Sequence, residues 1–336
     1  MDKYIAAFKE FYANNKILAI AIISAVGIGL IIFLLASRSS APTTPATSTT
    51  VPSEPVSQTF GSLPVISLPP SPIPGATPSA MQSFIDTATL KFPATARVYR
   101  FGQTAVLTPS TLDKLAVKLG FTVKSKPTFG GQTWQEKGNY LFYDSVSDGF
   151  IFNLAQPRDI ASFGGEASSK TEVLQNLLKS LDLNYPDLSF DQPLNTPTGD
   201  FNVLRIVNNV PVTSLPGDET LITFGWQNDG LISGKFYYHL LQNGDGSFGV
   251  YPLKTIETAL EDLKAGRATL ATLGIVGDSL AMVAGINAAS FTDVKLEYLE
   301  TRKGGTYLEP VYAFSGTVTL ADGRSTTAVY FVKALQ

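Results

Sequence analysis

The sequence predicts a membrane-anchored α+β protein. Three observations support this fold class: one uncharged apolar segment near the N-terminus, amphipathic helical patterns that begin at capping residues, and short strands that follow one another without helices between them. Consecutive strands of this kind favour antiparallel sheets with helices packed on one face. With 336 residues and 44% hydrophobic content, the chain is long enough to bury a sizeable core.

The apolar segment runs from Ile17 to Ala36, twenty residues without a charge. At about 1.5 Å per residue, a helix of this length crosses a bilayer core of about 30 Å. A cleaved signal peptide is the rival interpretation, but its apolar core usually has about 7 to 15 residues. Lys3, Lys9 and Lys16 precede the segment, so the positive-inside rule predicts a cytoplasmic stub over residues 1–16. We therefore expect a single-pass plasma-membrane protein that contacts lipid through residues 17–36 and carries an extracytoplasmic C-terminal domain.

A proline-rich segment follows the predicted anchor. Residues 37–79 contain ten prolines and two charged residues, Arg38 and Glu54. This composition predicts a disordered, extended linker, because it cannot bury enough apolar surface to fold. The run from Leu63 to Pro74 leaves a second interpretation open, in which it docks onto a partner or onto the domain. We expect a chain that starts near Ala80 to fold independently.

Three amphipathic helices are predicted in the domain. Each begins after an N-cap residue, and these residues are Thr108, Ser169 and Thr255. Gly120 and Gly266 follow the first and third helices, where glycine commonly ends a helix. The apolar residues of each segment share one face, which predicts that each helix packs on a sheet.

Two glycine-containing turns predict β-hairpins in the second half of the chain. Gly244-Asp245-Gly246 separates residues 232–240 from residues 248–251, and Asp322-Gly323 separates residues 311–320 from residues 327–332. Both pairs of flanking segments are rich in aromatic and β-branched residues, as strands are.

The domain shows a repeated pattern. Residues 98–121 and residues 250–266 each pass from an aromatic strand into a helix. We therefore predict two similar α+β sub-domains, over residues 80–185 and 186–336. One continuous sheet through residues 186–200 is the alternative.

Composition excludes several kinds of chemistry. The 25 basic and 28 acidic residues give a net charge of −3, which argues against a nucleic-acid partner. The chain has no cysteine and one histidine, so it lacks the ligands of the usual zinc and transition-metal sites. We expect neither a metal nor another cofactor. A hydrolase that uses two carboxylates for cell-wall or carbohydrate cleavage remains an alternative.

Gly277-Asp278-Ser279-Leu280 resembles the nucleophile block of GDSL-type esterases. Those enzymes need a histidine base downstream of the serine, whereas the only histidine here, His239, lies upstream in a predicted strand. We therefore predict that Ser279 and His239 are not catalytic partners. The segment from Asn243 to Ser247 is similar to a calcium loop, but Phe248 stands where such a loop needs glycine.

In the C-terminal half, residues 202–212 are followed by the helix-forming residues 255–266 and by the strands VKLEYLE, YLEPVYAFSG and YFVKA between Val294 and Ala334. This order resembles that of PepSY-like and YycH/YycI-type exported domains. The resemblance implies a short helix packed on an antiparallel sheet. It also implies an anchored extracytoplasmic regulator or assembly factor that binds another envelope protein, and it supplies no catalytic residues.

Aromatic residues offer the candidate contact surface. With 21 Phe and 13 Tyr, most aromatic side chains are expected in the core and in cross-strand pairs. A partner-binding face would instead expose Trp226, Tyr307, Tyr312 and Tyr330. The sequence thus favours a non-enzymatic, anchored binding protein, with a carboxylate hydrolase or a structural surface protein as alternatives, and it leaves the oligomeric state open.

Overall fold

The computed structural model describes residues 53–63, 68, 75–87, 90–102, 105–159, 169–190, 198–214, 222–244, 246–274, 285–300 and 306–336. These residues belong to one compact unit, Val51–Gln336. The predicted anchor over residues 17–36 lies outside them. Across the described ranges, no helix combines the length and the apolar character that a membrane crossing requires.

Two sheets and three helices make up the described part of the chain, in agreement with the predicted α+β class. The helices are α1 (Pro109–Lys118), α2 (Lys170–Ser180) and α3 (Ile256–Lys264). The strands are β1 (Ala80–Ser83), β2 (Thr95–Arg100), β3 (Lys126–Thr128), β4 (Gly131–Glu136), β5 (Asn139–Asp144), β6 (Gly149–Arg158), β7 (Leu188–Ser189), β8 (Gly199–Asn202), β9 (Leu204–Val207), β10 (Val210–Ser214), β11 (Ile222–Gln227), β12 (Gly230–Tyr237), β13 (Phe248–Pro252), β14 (Thr269–Leu273), β15 (Ile286–Glu300), β16 (Tyr307–Leu320) and β17 (Ser325–Lys333).

The predicted helix caps are confirmed. The side chains of Thr108, Ser169 and Thr255 each accept a hydrogen bond from the backbone N–H three residues later. Those N–H groups have no partner inside the helix, so each cap satisfies one of them. Gly120 and Gly266 have φ angles of 86° and 74°, a left-handed conformation that glycine adopts without steric cost.

The smaller sheet has seven strands in the order β3-β4-β5-β6-β12-β11-β8. Helices α1 and α2 cover one of its faces. Their buried leucines, which include Leu112, Leu115, Leu174 and Leu177, pack in one cluster with Trp134, Phe150, Phe152 and Phe224 from the strands. This cluster is the first core of the domain.

The larger sheet has ten strands, with the central order β13-β2-β16-β15-β10-β9-β7. Strand β17 pairs with β16 and β14, and β1 pairs with β15. Helix α3 packs Ile256, Ala259 and Leu263 into a second core, together with Phe291, Phe314 and other side chains of β15 to β17. The Asp322-Gly323 turn joins β16 and β17 as an antiparallel hairpin, as predicted.

Three sequence-based expectations differ from the structure. Strands β1 and β10 both pair with β15 in the parallel direction, so the larger sheet is mixed and not purely antiparallel. The Gly244 turn does not form a hairpin, because β12 and β13 lie in different sheets. A boundary at residue 185 does not separate the sheets either: β2 lies in the larger one, while β8, β11 and β12 lie in the smaller one. The chain therefore crosses between the two sheets several times.

One described segment of the predicted linker, residues 53–63, is attached to the domain. We call residues 53–63 the strap. Arg97 Nε and Nη2 donate to the two carboxylate oxygens of Glu54 at 2.7 and 2.5 Å. The backbone N–H groups of Ser57 and Gln58 donate to the carbonyl of Val250 at 3.1 and 3.2 Å. The strap therefore belongs to the folded unit, and Leu68 also packs against buried residues of the larger sheet.

A chain that starts at Ala80 loses more than a spacer. It loses the strap and the carbonyls of Gly75 and Ala76, which accept hydrogen bonds from Ile286 N at 3.0 Å and Tyr330 Oη at 2.8 Å. We predict that residues 80–336 fold with a free energy of unfolding at least about 3 kcal/mol below that of residues 53–336, because several net contributions of about 1 kcal/mol each are lost. Urea unfolding of the two chains measures the difference, and coincident midpoints would contradict it.

Candidate functional site

Three of the four predicted contact residues are core side chains. Trp226, Tyr312 and Tyr330 are exposed by only 2%, 1% and 2%. The hydroxyl of Tyr312 donates to the carbonyl of Lys254 at 2.8 Å, and that of Tyr330 donates to the carbonyl of Ala76. Their burial excludes these three side chains from direct contact with a partner, because the hydrophobic cores already enclose them.

Tyr307 lies elsewhere and is partly exposed. Its ring packs on Phe60 of the strap, with 4.8 Å between the ring centroids. The structure therefore does not bring the four aromatic residues together on one surface. Tyr307 contacts a segment of its own chain.

A buried polar cluster lies where the two sheets meet. Glu300, at the end of β15, is 1% exposed and accepts hydrogen bonds from Arg205 Nη1 at 2.6 Å and from His239 Nδ1 at 2.8 Å. Arg205 Nε also donates to Asp187 at 2.7 Å, and the Tyr238 hydroxyl donates to the same carboxylate at 2.7 Å. We call these five residues the junction cluster.

Electrostatics favour the ionised form of Glu300 in the junction cluster. Burial opposes ionisation of Glu300, but the charge of Arg205 and the hydrogen bond from His239 outweigh it, so the pKa of Glu300 lies below its ordinary value. The ring of His239 also packs edge-on against Phe101. His239 is thus part of a structural contact between the sheets. Ser279 lies outside the described residues, so its relation to His239 stays a prediction.

The pairing of β15 is interrupted along one edge. One edge of β15 pairs with β16, and β1 and β10 share the other edge. Strand β1 pairs as far as Phe291, and β10 begins to pair at Tyr298. Among the described strands, none pairs with that edge at residues 292–297. Six residues of strand leave an open edge about 20 Å long.

A groove of about 610 Å³ lies at this open edge. Val294 and Leu296 point to one face of the sheet and Lys295 to the other, yet all three line the groove, which places it at the edge of the strand. Other lining residues are Phe92, Val210, Pro211 and Tyr298, together with the ion pair of Glu54 and Arg97. The groove thus combines apolar walls, backbone with which no described strand pairs, and one wall from the strap.

A second cavity, of about 300 Å³, is lined by the later strap residues Gln58 and Gly61 to Leu63. Glu309 lines it and is 7% exposed. Burial raises the pKa of Glu309 to about 7, against the opposing effect of the charge on Lys333. No sequence signal distinguished this glutamate, because its burial depends on strands and on a strap that are distant along the chain.

Comparisons with known proteins identify no family. No protein-family model and no curated protein matches the chain. Among solved structures, an uncharacterized protein from Eubacterium rectale aligns over 72% of this chain and 84% of its own, with 12% identity and a TM-score of 0.35. YycH from Bacillus subtilis aligns over 70% of this chain and 52% of its own, with 13% identity and a TM-score of 0.32. These low scores establish neither a shared fold nor a shared function.

Glu309 makes stability depend on pH. Between its ordinary pKa of 4.5 and its folded-state pKa of about 7, the folded chain binds a proton that the unfolded chain does not, so the stability falls as the pH rises. We predict that Glu309→Gln removes this loss and is more stable than the wild type by about 3 kcal/mol at pH 8, but not at pH 4. Urea unfolding across this range tests it. The exposed Glu261→Gln is the control, and parallel pH profiles of wild type and Glu309→Gln would contradict the prediction.

Proposed function

We propose that this chain is a membrane-anchored, extracytoplasmic binding protein that receives an extended segment of another envelope protein, as a regulator or an assembly factor. The open edge of β15 carries the proposal. An extended segment placed there would form backbone hydrogen bonds with residues 292–297 and would continue the larger sheet between β1 and β10. Addition of a strand to an exposed sheet edge is a common mode of peptide recognition.

The chemistry of the groove supports an extended protein segment as the ligand. Its apolar side chains, Phe92, Val210, Val294 and Leu296, offer surface to every second side chain of such a segment. The open edge of about 20 Å accommodates about six residues. Asn208 and Asn209, which also line the groove, supply amide groups for polar contacts at one end.

The anchor is the second part of the proposal. It is supported by the uncharged run of residues 17–36 and by the three lysines that precede it. On this topology the groove lies outside the cytoplasm, connected to the anchor through the proline-rich segment. Its partner would then be an envelope protein, either in the same membrane or outside it.

Site-specific photo-crosslinking in intact cells tests the groove. A benzophenone amino acid replaces Lys295, whose side chain is 68% exposed on β15, and a second strain carries it at the exposed Lys124 near the smaller sheet. We predict a discrete protein adduct from position 295 and none of that size from position 124. Pro211→Trp, which fills the groove, should remove the adduct, whereas Pro127→Trp on the exposed strand β3 should not.

Two results would contradict the proposed groove function. One is an adduct that persists unchanged in the Pro211→Trp strain. The other is a crosslink confined to the chain itself, which would identify its own linker as the occupant.

The topology has its own test. Protease added to intact cells, after permeabilisation of any outer layer, should remove the C-terminal domain and leave a membrane-protected fragment that contains residues 1–36. A domain that stays fully protected while the membrane is intact would reverse the proposed orientation. Disruption of the membrane with detergent is the control that shows the domain to be cleavable.

A further inference from the structure

The cavity beside the strap has features of a separate ligand site. Gln58 and Leu63 of the strap line it, together with Glu309 and Lys333 of the larger sheet and Leu335, which follows β17. Tyr251 fixes the strap at this point: its hydroxyl accepts from Phe60 N at 3.0 Å and donates to the carbonyl of Gly61 at 3.2 Å. At about 300 Å³, the cavity is at the small end of the range that binds organic ligands.

Glu309 is the unusual group in this cavity. Glu309 is more than nine-tenths buried. Within the described part of the chain, no hydrogen bond reaches its carboxyl group. The carboxyl oxygens are not fully enclosed by protein, and partial burial disfavours their charged form. Because the carboxyl group lines the cavity, a ligand that donates hydrogen bonds would satisfy it.

Lys333 supplies the opposite charge. Val311 pairs with Lys333 across β16 and β17, so Glu309 is a diagonal neighbour of Lys333, at a Cα separation of about 7–8 Å. The charges of the two residues act on each other. Within the described residues, however, no hydrogen bond joins them. The cavity is therefore lined by a carboxyl group and an ammonium group that form no hydrogen bond or close ion pair with each other.

We propose that this cavity binds a zwitterion of amino-acid or dipeptide size, whose ammonium group donates to Glu309 and whose carboxylate accepts from Lys333. The apolar side chains of Leu63 and Leu335 would contact the side chain of the ligand. Charge-assisted hydrogen bonds of this kind are stronger than neutral ones, and both protein groups are partly withdrawn from water. The site is distinct from the groove on β15.

Binding should release a proton near neutral pH. The ammonium group of the ligand favours the ionised form of Glu309, which is partly protonated in the free protein. The other titratable groups that face Glu309 are Lys333 on β17 and the hydroxyl of Tyr251 on β13, beside which Tyr307 lies. Burial and the charge of Lys254 lower the pKa of Lys333 from 10.5, against the opposing charges of Glu309 and Asp262, and burial raises the pKa of Tyr251 above 10. Glu309, with a pKa of about 7, is therefore the group from which the released proton would come.

Calorimetric titration of the full chain, purified in detergent, tests the site. The probes are L-leucine and leucyl-glycine, and N-acetyl-leucinamide is the uncharged analogue. We expect saturable binding of at least one zwitterion, tighter at pH 8 than at pH 6, and none of the analogue. Glu309→Gln and Lys333→Gln should each weaken binding at least tenfold, whereas Glu261→Gln and Lys264→Gln, on the exposed side of α3, should not change it.

Three outcomes would overturn the proposal: no saturable binding of either zwitterion, equal binding of the acetylated amide, or unchanged affinity in either cavity variant. Thermal unfolding of Glu309→Gln and Lys333→Gln shows whether each variant is folded. The two variants test the two ends of the ligand independently, so a folding defect in one leaves the other decisive. Crosslinking from Lys295 is read separately, so failure here is distinguishable from failure of the proposed groove function.

Discussion

A carboxylate buried between two sheets is the constraint on which the arrangement of the domain depends. Glu300 accepts hydrogen bonds from Arg205, on β9 of the larger sheet, and from His239. His239 lies two residues after β12 of the smaller sheet. Removal of Arg205 would leave the charge of Glu300 in the interior without its cationic partner, where the desolvation cost is several kcal/mol. The cluster therefore fixes the C-terminal end of β15 in position relative to the C-terminal end of β12. The groove lies along the same strand, β15, whose C-terminal end this cluster fixes.

Local signals in the sequence were sufficient for the helices and insufficient for the sheets. Thr108, Ser169 and Thr255 cap helices through bonds that span three residues, so a short window of sequence contains both partners. The pairing of β1 with β15 joins Ala80 to Ala288, and no pattern within either strand specifies that partner. The parallel pairs and the crossing of the chain between sheets were missed for this reason.

The candidate site shows the same division between local and distant information. Trp226, Tyr312 and Tyr330 are residue types that are common on contact surfaces. Whether a strand side chain is buried depends on which face of the sheet is covered, and helices elsewhere in the chain decide that. His239 and Glu300 are 61 residues apart, so the sequence did not reveal that the single histidine has a buried carboxylate beside it. The groove could not be predicted from the sequence. It lies between the points where β1 stops and β10 starts to pair with β15, and no local pattern marks those points.

The strap gives the domain a mechanical property. A force transmitted along the chain toward Ser53 would load the contacts of Ser53 with Ala94 and of Glu54 with Arg97 first, and those of Ser57 and Phe60 only after these had broken. Bonds that are loaded one after another yield at lower force than the strands of a sheet that are sheared together. The strap would thus detach while the sheets remained folded, and one wall of the groove and one wall of the Glu309 cavity would leave with it. On the proposed anchored topology, tension between the membrane and the domain would in this way open the groove first and the Glu309 cavity after it.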